Sequence, residues 1–349
     1  MSPVRRGFRV LRDHGILPFA YQTLRYLDMW APAWNTVTSR RPFGTNIFSR
    51  DWELLIVLDT CRVDAVNSIV NAMTEVDKTS HIRSVGSMSA EWMLNTFTED
   101  YREEIAKTAF LSGNIWSHRI FEEQFHDHQR HDYDMLHKGW PNWNPIEGDT
   151  FLHYETVYPY ANQDERLHPE SEHIPNVLTD RAIDVGREKQ CERLIVHYTL
   201  PHLNHIAGAL DWKSERSKLE CLMSGPEVLR GLKPEEKSYQ PAREGTVSRE
   251  TVYENYRQNL EFAMEYVNIL CRNIDADTVV ITADHGESFG ENNIWGHPYG
   301  CPFSTIKTVP WVTTTANDEQ TYEPKFDPLK RTPSEEELTD FLRDMGYYV

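Results

Sequence analysis

Four short apolar runs punctuate the chain, at residues 54–58, 108–111, 194–198 and 278–282. Each is rich in β-branched, leucine or aromatic side chains, and none alternates cleanly between apolar and polar. Short uninterrupted runs of this kind predict strands buried on both faces of a mainly parallel sheet. The clearest helical pattern precedes the fourth run, where Leu260, Ala263, Met264, Val267 and Leu270 form one stripe. Buried strands alternating with such helices predict an α/β fold with a doubly wound, mostly parallel central sheet and helices on both faces.

The remaining segments set the expected organisation. Residues 1–50 read as a basic, amphipathic N-terminal extension and residues 51–349 as one α/β domain. Residues 126–168, rich in His, Trp, Pro and Asp, predict a surface excursion. Residues 211–249, charged and carrying Pro226, Pro234 and Pro241, predict an insertion or lid. Ser334, followed by three glutamates, Leu338, Phe341, Leu342 and Gly346, predicts a terminal helix with acids at its positive end.

Charge narrows the partners. Acidic residues outnumber basic ones 54 to 36, for a net charge of −18, which argues against nucleic acid, since phosphate backbones need clustered Lys and Arg. That balance suits hydration in high salt, as in a halophile, and equally an ordinary acidic protein. Five scattered cysteines without a CxxC pair predict reduced thiols and a cytoplasmic location. Arg5-Arg6 is followed by no apolar stretch long enough for a signal peptide, and no run is long enough to span a bilayer. Packing of residues 5–26 on the domain is the expectation, with peripheral membrane contact through that segment as the alternative.

Ligands of open parallel sheets bind beyond the carboxyl ends of the strands, so polar residues there carry the candidate chemistry. Asp59 follows the first run directly and offers a carboxylate on a rigid edge, either as a metal ligand or as a helix cap. Asp284 and His285 follow the fourth run, an oxygen and an imidazole side by side, with Gly286 allowing the backbone to turn. The third run leads into His197, His202 and His205, of which His202 after Pro201 is the preferred contact to an oxyanion or acid. The run 126–132, dense in histidine, reads as a solvated loop, and the Trp116, Trp140 and Trp143 set reads as packing.

The segment Ala283-Asp284-His285-Gly286-Glu287-Ser288-Phe289-Gly290-Glu291-Asn292, with His297 beyond it, resembles the metal motif of sulfatases and phosphoethanolamine or glycerol-phosphate transferases of the alkaline phosphatase superfamily. Asp59-Thr60-Cys61-Arg62 resembles that family's first metal carboxylate, Pro201-His202 its mid-chain histidine motif, and residues 341–347 its closing helix. The resemblance implies one divalent ion (Mn, Ca, Mg or Zn) held by Asp59, Asp284 and His285, with a second ion as the alternative, for which His297, His202 and Asp64 are the reserves. It also implies a nucleophile that touches the metal at a helix start. Ser89 matches, ahead of Ser87 and Thr60; the plain alternative is a helix N-cap.

Neither Cys61 nor Ser89 is followed by the Pro/Ala and Arg that mark a formylglycine precursor, which tilts the expectation from sulfate esters towards a serine phosphoryl-type enzyme. The expected activity is hydrolysis or transfer of a phosphate or sulfate ester through a covalent serine intermediate. The substrate would be a small molecule, a glycan or a lipid-linked ester. Arg62, His202 and His297 are expected to contact the oxyanion or leaving group, Arg62 having pairing with Asp64 as its alternative. A non-catalytic, metal-stabilised binding protein is the alternative function; a serine placed away from Asp59 and Asp284 would favour it.

Overall fold

A computed structural model describes residues 3–70, 76–122, 134–157, 175–188, 191–210 and 232–324. A seven-stranded sheet of order β2-β9-β6-β1-β5-β3-β4 forms its centre. The strands are β1 (Leu54–Leu58), β2 (Lys78–Arg83), β3 (Thr108–Ser112), β4 (His153–Thr156), β5 (Arg193–Tyr198), β6 (Ala276–Thr282) and β9 (Thr308–Ala316); β7 (Ser288–Phe289) and β8 (Trp295–Gly296) make a small separate hairpin. Neighbours from β4 through β6 run parallel, while β9 is antiparallel to both β6 and β2. The mostly parallel α/β sheet expected from the pattern is the one observed.

Every residue of β1 and β3 is buried, as their unbroken apolar runs require. Helices pack around the sheet: α4 (Val63–Ile69), α5 (Ser89–Thr96), α6 (Ile115–Phe121), α7 (Asn176–Glu188) and α8 (Arg249–Cys271). The predicted stripe of α8 is buried, and Ser248 caps its first turn by accepting from Thr251 N. Phe97, Phe110, Phe121 and Phe151 meet edge-on or tilted in the core beneath α5.

The N-terminal segment forms α1 (Pro3–His14), α2 (Ile16–Tyr26) and α3 (Trp30–Thr38). Its inner side chains tie it to the body: Trp30 Nε1 donates to Gly300 O (2.8 Å), and Tyr21 packs against Phe303. Two segments depart from expectation where they are described. Within 126–168, residues 134–157 are not a surface excursion, because β4 joins the sheet there and Leu136, Ile146 and Phe151 enter the core. Within 211–249, Leu232, Glu236 and Tyr239 are buried rather than lying over the surface as a lid. The histidine-rich run 126–132 and the C-terminal helix expected over 333–347 lie outside the described residues.

Candidate metal centre and active site

Strand register brings the two aspartates together. β1 and β6 are parallel neighbours with Val57 opposite Thr282, so two residues further on Asp59 and Asp284 leave adjacent strand ends side by side. Thr60 then takes a left-handed conformation (φ 66°), and its N–H donates to Asp284 Oδ1 (3.3 Å). Glycine is required at 286, because a Cβ there would stand 2.4 Å from the carbonyl oxygen of Thr305. That close approach lets Gly286 N donate to Ile306 O (2.7 Å) and pins the loop carrying Asp284 and His285.

The hydrogen bonds leave three lone-pair atoms facing one another. Asp284 Oδ1 accepts from His285 N (2.8 Å), while its Oδ2 has no hydrogen-bond partner. Asp59 Oδ2 accepts from Asn114 Nδ2 (2.7 Å), while its Oδ1 has none. His285 Nδ1 lies 3.0 Å from Gly286 O and is its donor, which leaves Nε2 unprotonated. That Nε2 stands 3.5 Å from Asp59 Oδ1 and 3.4 Å from Asp284 Oδ2. All three residues are buried and offer ligand atoms within 4.8 Å of one another. Buried facing acceptors with no donor between them repel, and a divalent cation is what such a two-oxygen, one-nitrogen set fits.

Electrostatics follow the same geometry. Burial, with Asp284 and Glu287 nearby, pushes the Asp59 carboxyl well above its usual range. Burial would also raise Asp284, but the His285 and His197 imidazoles hold it below the usual range. Burial lowers His285 and His202 to about 4. His297 goes the other way despite burial, because Glu287 faces it with Oε2 3.2 Å from Nδ1.

Ser89, the first residue of α5, puts its Oγ 3.4 Å from Asp59 Oδ2 and 3.5 Å from His285 Nε2. Ser87 is turned elsewhere, donating to Glu91 Oε2 (2.6 Å) and accepting from Gly300 N (2.8 Å). His297 lies beside the group, its ring 4.5 Å from that of His285 and 5.0 Å from that of His202. Arg62 departs from the expected oxyanion contact and takes the alternative role. Its guanidinium is bidentate to Asp64 (2.8 Å each) and also binds Glu291 Oε1 (2.9 Å) and Glu287 O (3.0 Å). Those bonds use four of its five N–H groups, so it braces the loop that carries the metal motif.

Asn114 was not singled out in the sequence, whereas Glu287 stood within the metal motif and His197 among the histidines of the third run. Asn114, two residues past β3, accepts from Trp116 N through Oδ1, which aims Nδ2 at Asp59 Oδ2 and at Ser89 Oγ (3.0 Å). The strand-end rule applied to the second apolar run would have found it. Glu287 is fully buried and also accepts from Tyr239 Oη (2.9 Å). His197, buried inside β5, has Nε2 3.6 Å from Asp284 Oδ2, too long for a hydrogen bond.

No family model and no curated protein matches this chain. Solved structures do. One is the integral membrane protein lipooligosaccharide phosphoethanolamine transferase A from Neisseria meningitidis (12% identity, TM-score 0.45), where the match covers 91% of this chain but 60% of that one. A second is the C-terminal periplasmic domain of phosphoethanolamine transferase EptC from Campylobacter jejuni (14%, TM-score 0.38, 76% and 79% covered). A third is a 2-O GAG sulfatase (12%, TM-score 0.39, 88% and 72% covered). They are the kinds of protein that the metal motif resembles, and the likeness is one of fold. The expected cytoplasmic location is withdrawn, since one matched domain is periplasmic and another match is an integral membrane protein. Among the described residues no helix is long and apolar enough to cross a membrane.

Proposed function

We propose that the chain is a metal-dependent enzyme that transfers or hydrolyses a phosphate or sulfate ester through a covalent ester on Ser89. The observation that carries this reading is the meeting of Ser89 Oγ with Asp59 and His285 at the start of a helix, beside the facing Asp59, Asp284 and His285 atoms. A divalent ion held by those three residues supplies charge neutralisation for an oxyanion and lowers the pKa of a nearby hydroxyl. Asn114 donates to Ser89 Oγ, which leaves the hydroxyl proton directed at Asp59 Oδ2. As Oγ bonds to phosphorus or sulfur, that carboxylate takes up the proton and the bond to the leaving oxygen breaks. The first N–H groups of α5 face the oxyanion.

His297, whose protonated form is favoured by buried Glu287, donates to the leaving oxygen. Neutral His202 packs beside it and shapes the leaving-group side. The ester on Ser89 then passes to water or to an acceptor hydroxyl; the substrate is a small-molecule, glycan or lipid-linked ester. The test is a panel of aryl phosphate monoesters, phosphodiesters and sulfates with Mn, Zn, Mg or Ca, comparing wild type with Ser89→Ala. Loss of at least about 10³-fold in kcat, with metal-induced thermal stabilisation retained, is expected. Equal turnover by the two proteins removes Ser89 as nucleophile. No turnover on any ester, with metal binding intact, makes this a binding protein.

A further inference from the structure

The first 41 residues differ from the rest of the chain in charge and in what they leave exposed. They carry seven arginines against only Asp13 and Asp28, in a protein of net charge −18. Both acids are already paired, Asp13 with Arg12 (2.6 Å) and Asp28 with Lys138 (2.6 Å). Helices α1 and α2 fold back on each other about Gly15, whose φ of 85° makes the reversal. Among the described side chains of α1 the buried one is Val10, and Phe8 lies about 200° around the helix from it, 68% exposed. Leu11 is exposed on that outer side, and at the turn Ile16 and Leu17 are 70% and 72% exposed. The opposite side of the hairpin is anchored: Tyr21 is buried, and Gln22 donates to O of Asn292 (2.9 Å), the last residue of the metal motif.

We infer that this hairpin docks the protein on an anionic membrane surface, with Phe8, Leu11, Ile16 and Leu17 entering the acyl boundary and Arg9 and Arg12 meeting lipid phosphates. The combination of an apolar tip with a basic rim is what interfacial helices use. Charge complementarity selects this occupant: the remaining chain is strongly acidic and is repelled by the same surface, so only this end can approach it. The inference stands apart from the ester chemistry, because docking is read without turnover.

The test is co-sedimentation of the full chain with vesicles of phosphatidylcholine alone and of phosphatidylcholine mixed with phosphatidylglycerol, at low and high salt. Binding to the anionic vesicles, weakened by salt, is expected. Ile16→Glu with Leu17→Glu, and separately Arg9→Glu with Arg12→Glu, are each expected to weaken it at least about tenfold, each arginine being worth about fivefold. Melting temperature and turnover of a soluble ester should be unchanged in both variants, and Ser89→Ala should bind vesicles like wild type. The inference is overturned if the wild type pellets with neither vesicle, or if both variants bind as it does. It is also overturned if a dimer in solution is lost in the same variants, because a second copy then covers the tip.

Discussion

Two buried carboxylate groups flank the start of α5, and they are finished in opposite ways. Glu91, in the first turn of the helix, is fully buried and has both oxygens satisfied: Oε1 accepts from Trp34 Nε1 (2.5 Å) and Oε2 from Ser87 N (2.8 Å) and Ser87 Oγ (2.6 Å). On the other side, Asp59 Oδ1 and Asp284 Oδ2 face His285 Nε2 with no donor at all. A carboxylate closed off by the protein's own donors is structural, whereas one left open towards another acceptor is arranged for something the chain does not supply. The contrast separates a brace from a site more sharply than burial does, since both groups are equally out of water.

The largest effect expected from this contrast is at the open group. Asp284→Asn keeps an oxygen for the His285 and Thr60 N–H groups and puts a donor between the facing acceptors. Turnover should fall by at least about 10³-fold, and the thermal shift on adding metal should disappear. The metal-free protein should become more stable, by about 1–2 kcal/mol in urea titrations, as repulsion is relieved.

Glu91→Gln should do the reverse. It leaves a donor against Trp34 Nε1 or Ser87 N, costing about 1–3 kcal/mol of stability, while turnover on a saturating ester changes less than about tenfold. If both substitutions shift stability in the same direction, the distinction between the two groups fails.

The smallest effect is one of pH. Lys307 is buried near Glu91, with Nζ lacking a hydrogen-bond partner among the described residues, and burial lowers its pKa to about 8. Its pKa is lower folded than unfolded, so between about pH 8 and the ordinary lysine value the unfolded chain holds more protons. Stability should therefore rise with pH across that window, and Lys307→Met should flatten the rise seen in thermal melts.

The sequence made the strands β1, β3, β5 and β6 legible because burial on both faces leaves an uninterrupted apolar stretch in each, at 54–58, 109–111, 194–196 and 279–281. It hid β2 and β9. Edge strand β2 is mostly polar and largely exposed, and β9 carries Pro310, which has no N–H for a ladder. Asp59, Asp284 and His285 were readable as polar residues at strand ends, but their convergence depends on β1 and β6 being neighbours. Strand order is a property of the whole sheet, which no local pattern encodes. Arg62 was legible as a charge near the site and not as a brace, because Glu291 reaches it from 229 residues away. Tyr239 sits in a stretch whose charge and prolines suggested surface, and only the fold shows its hydroxyl meeting Glu287.

The bond from Gly300 N to Ser87 Oγ spans 213 positions, and Trp34 meets Glu91 from the far side of the same turn. Such wide spans are slow to close as a chain collapses. The turn that presents Ser89 is therefore expected to order late, after the ribosome has released most of the polypeptide. Reactivity should then lag behind the recovery of helical signal when the denatured protein is returned to native buffer.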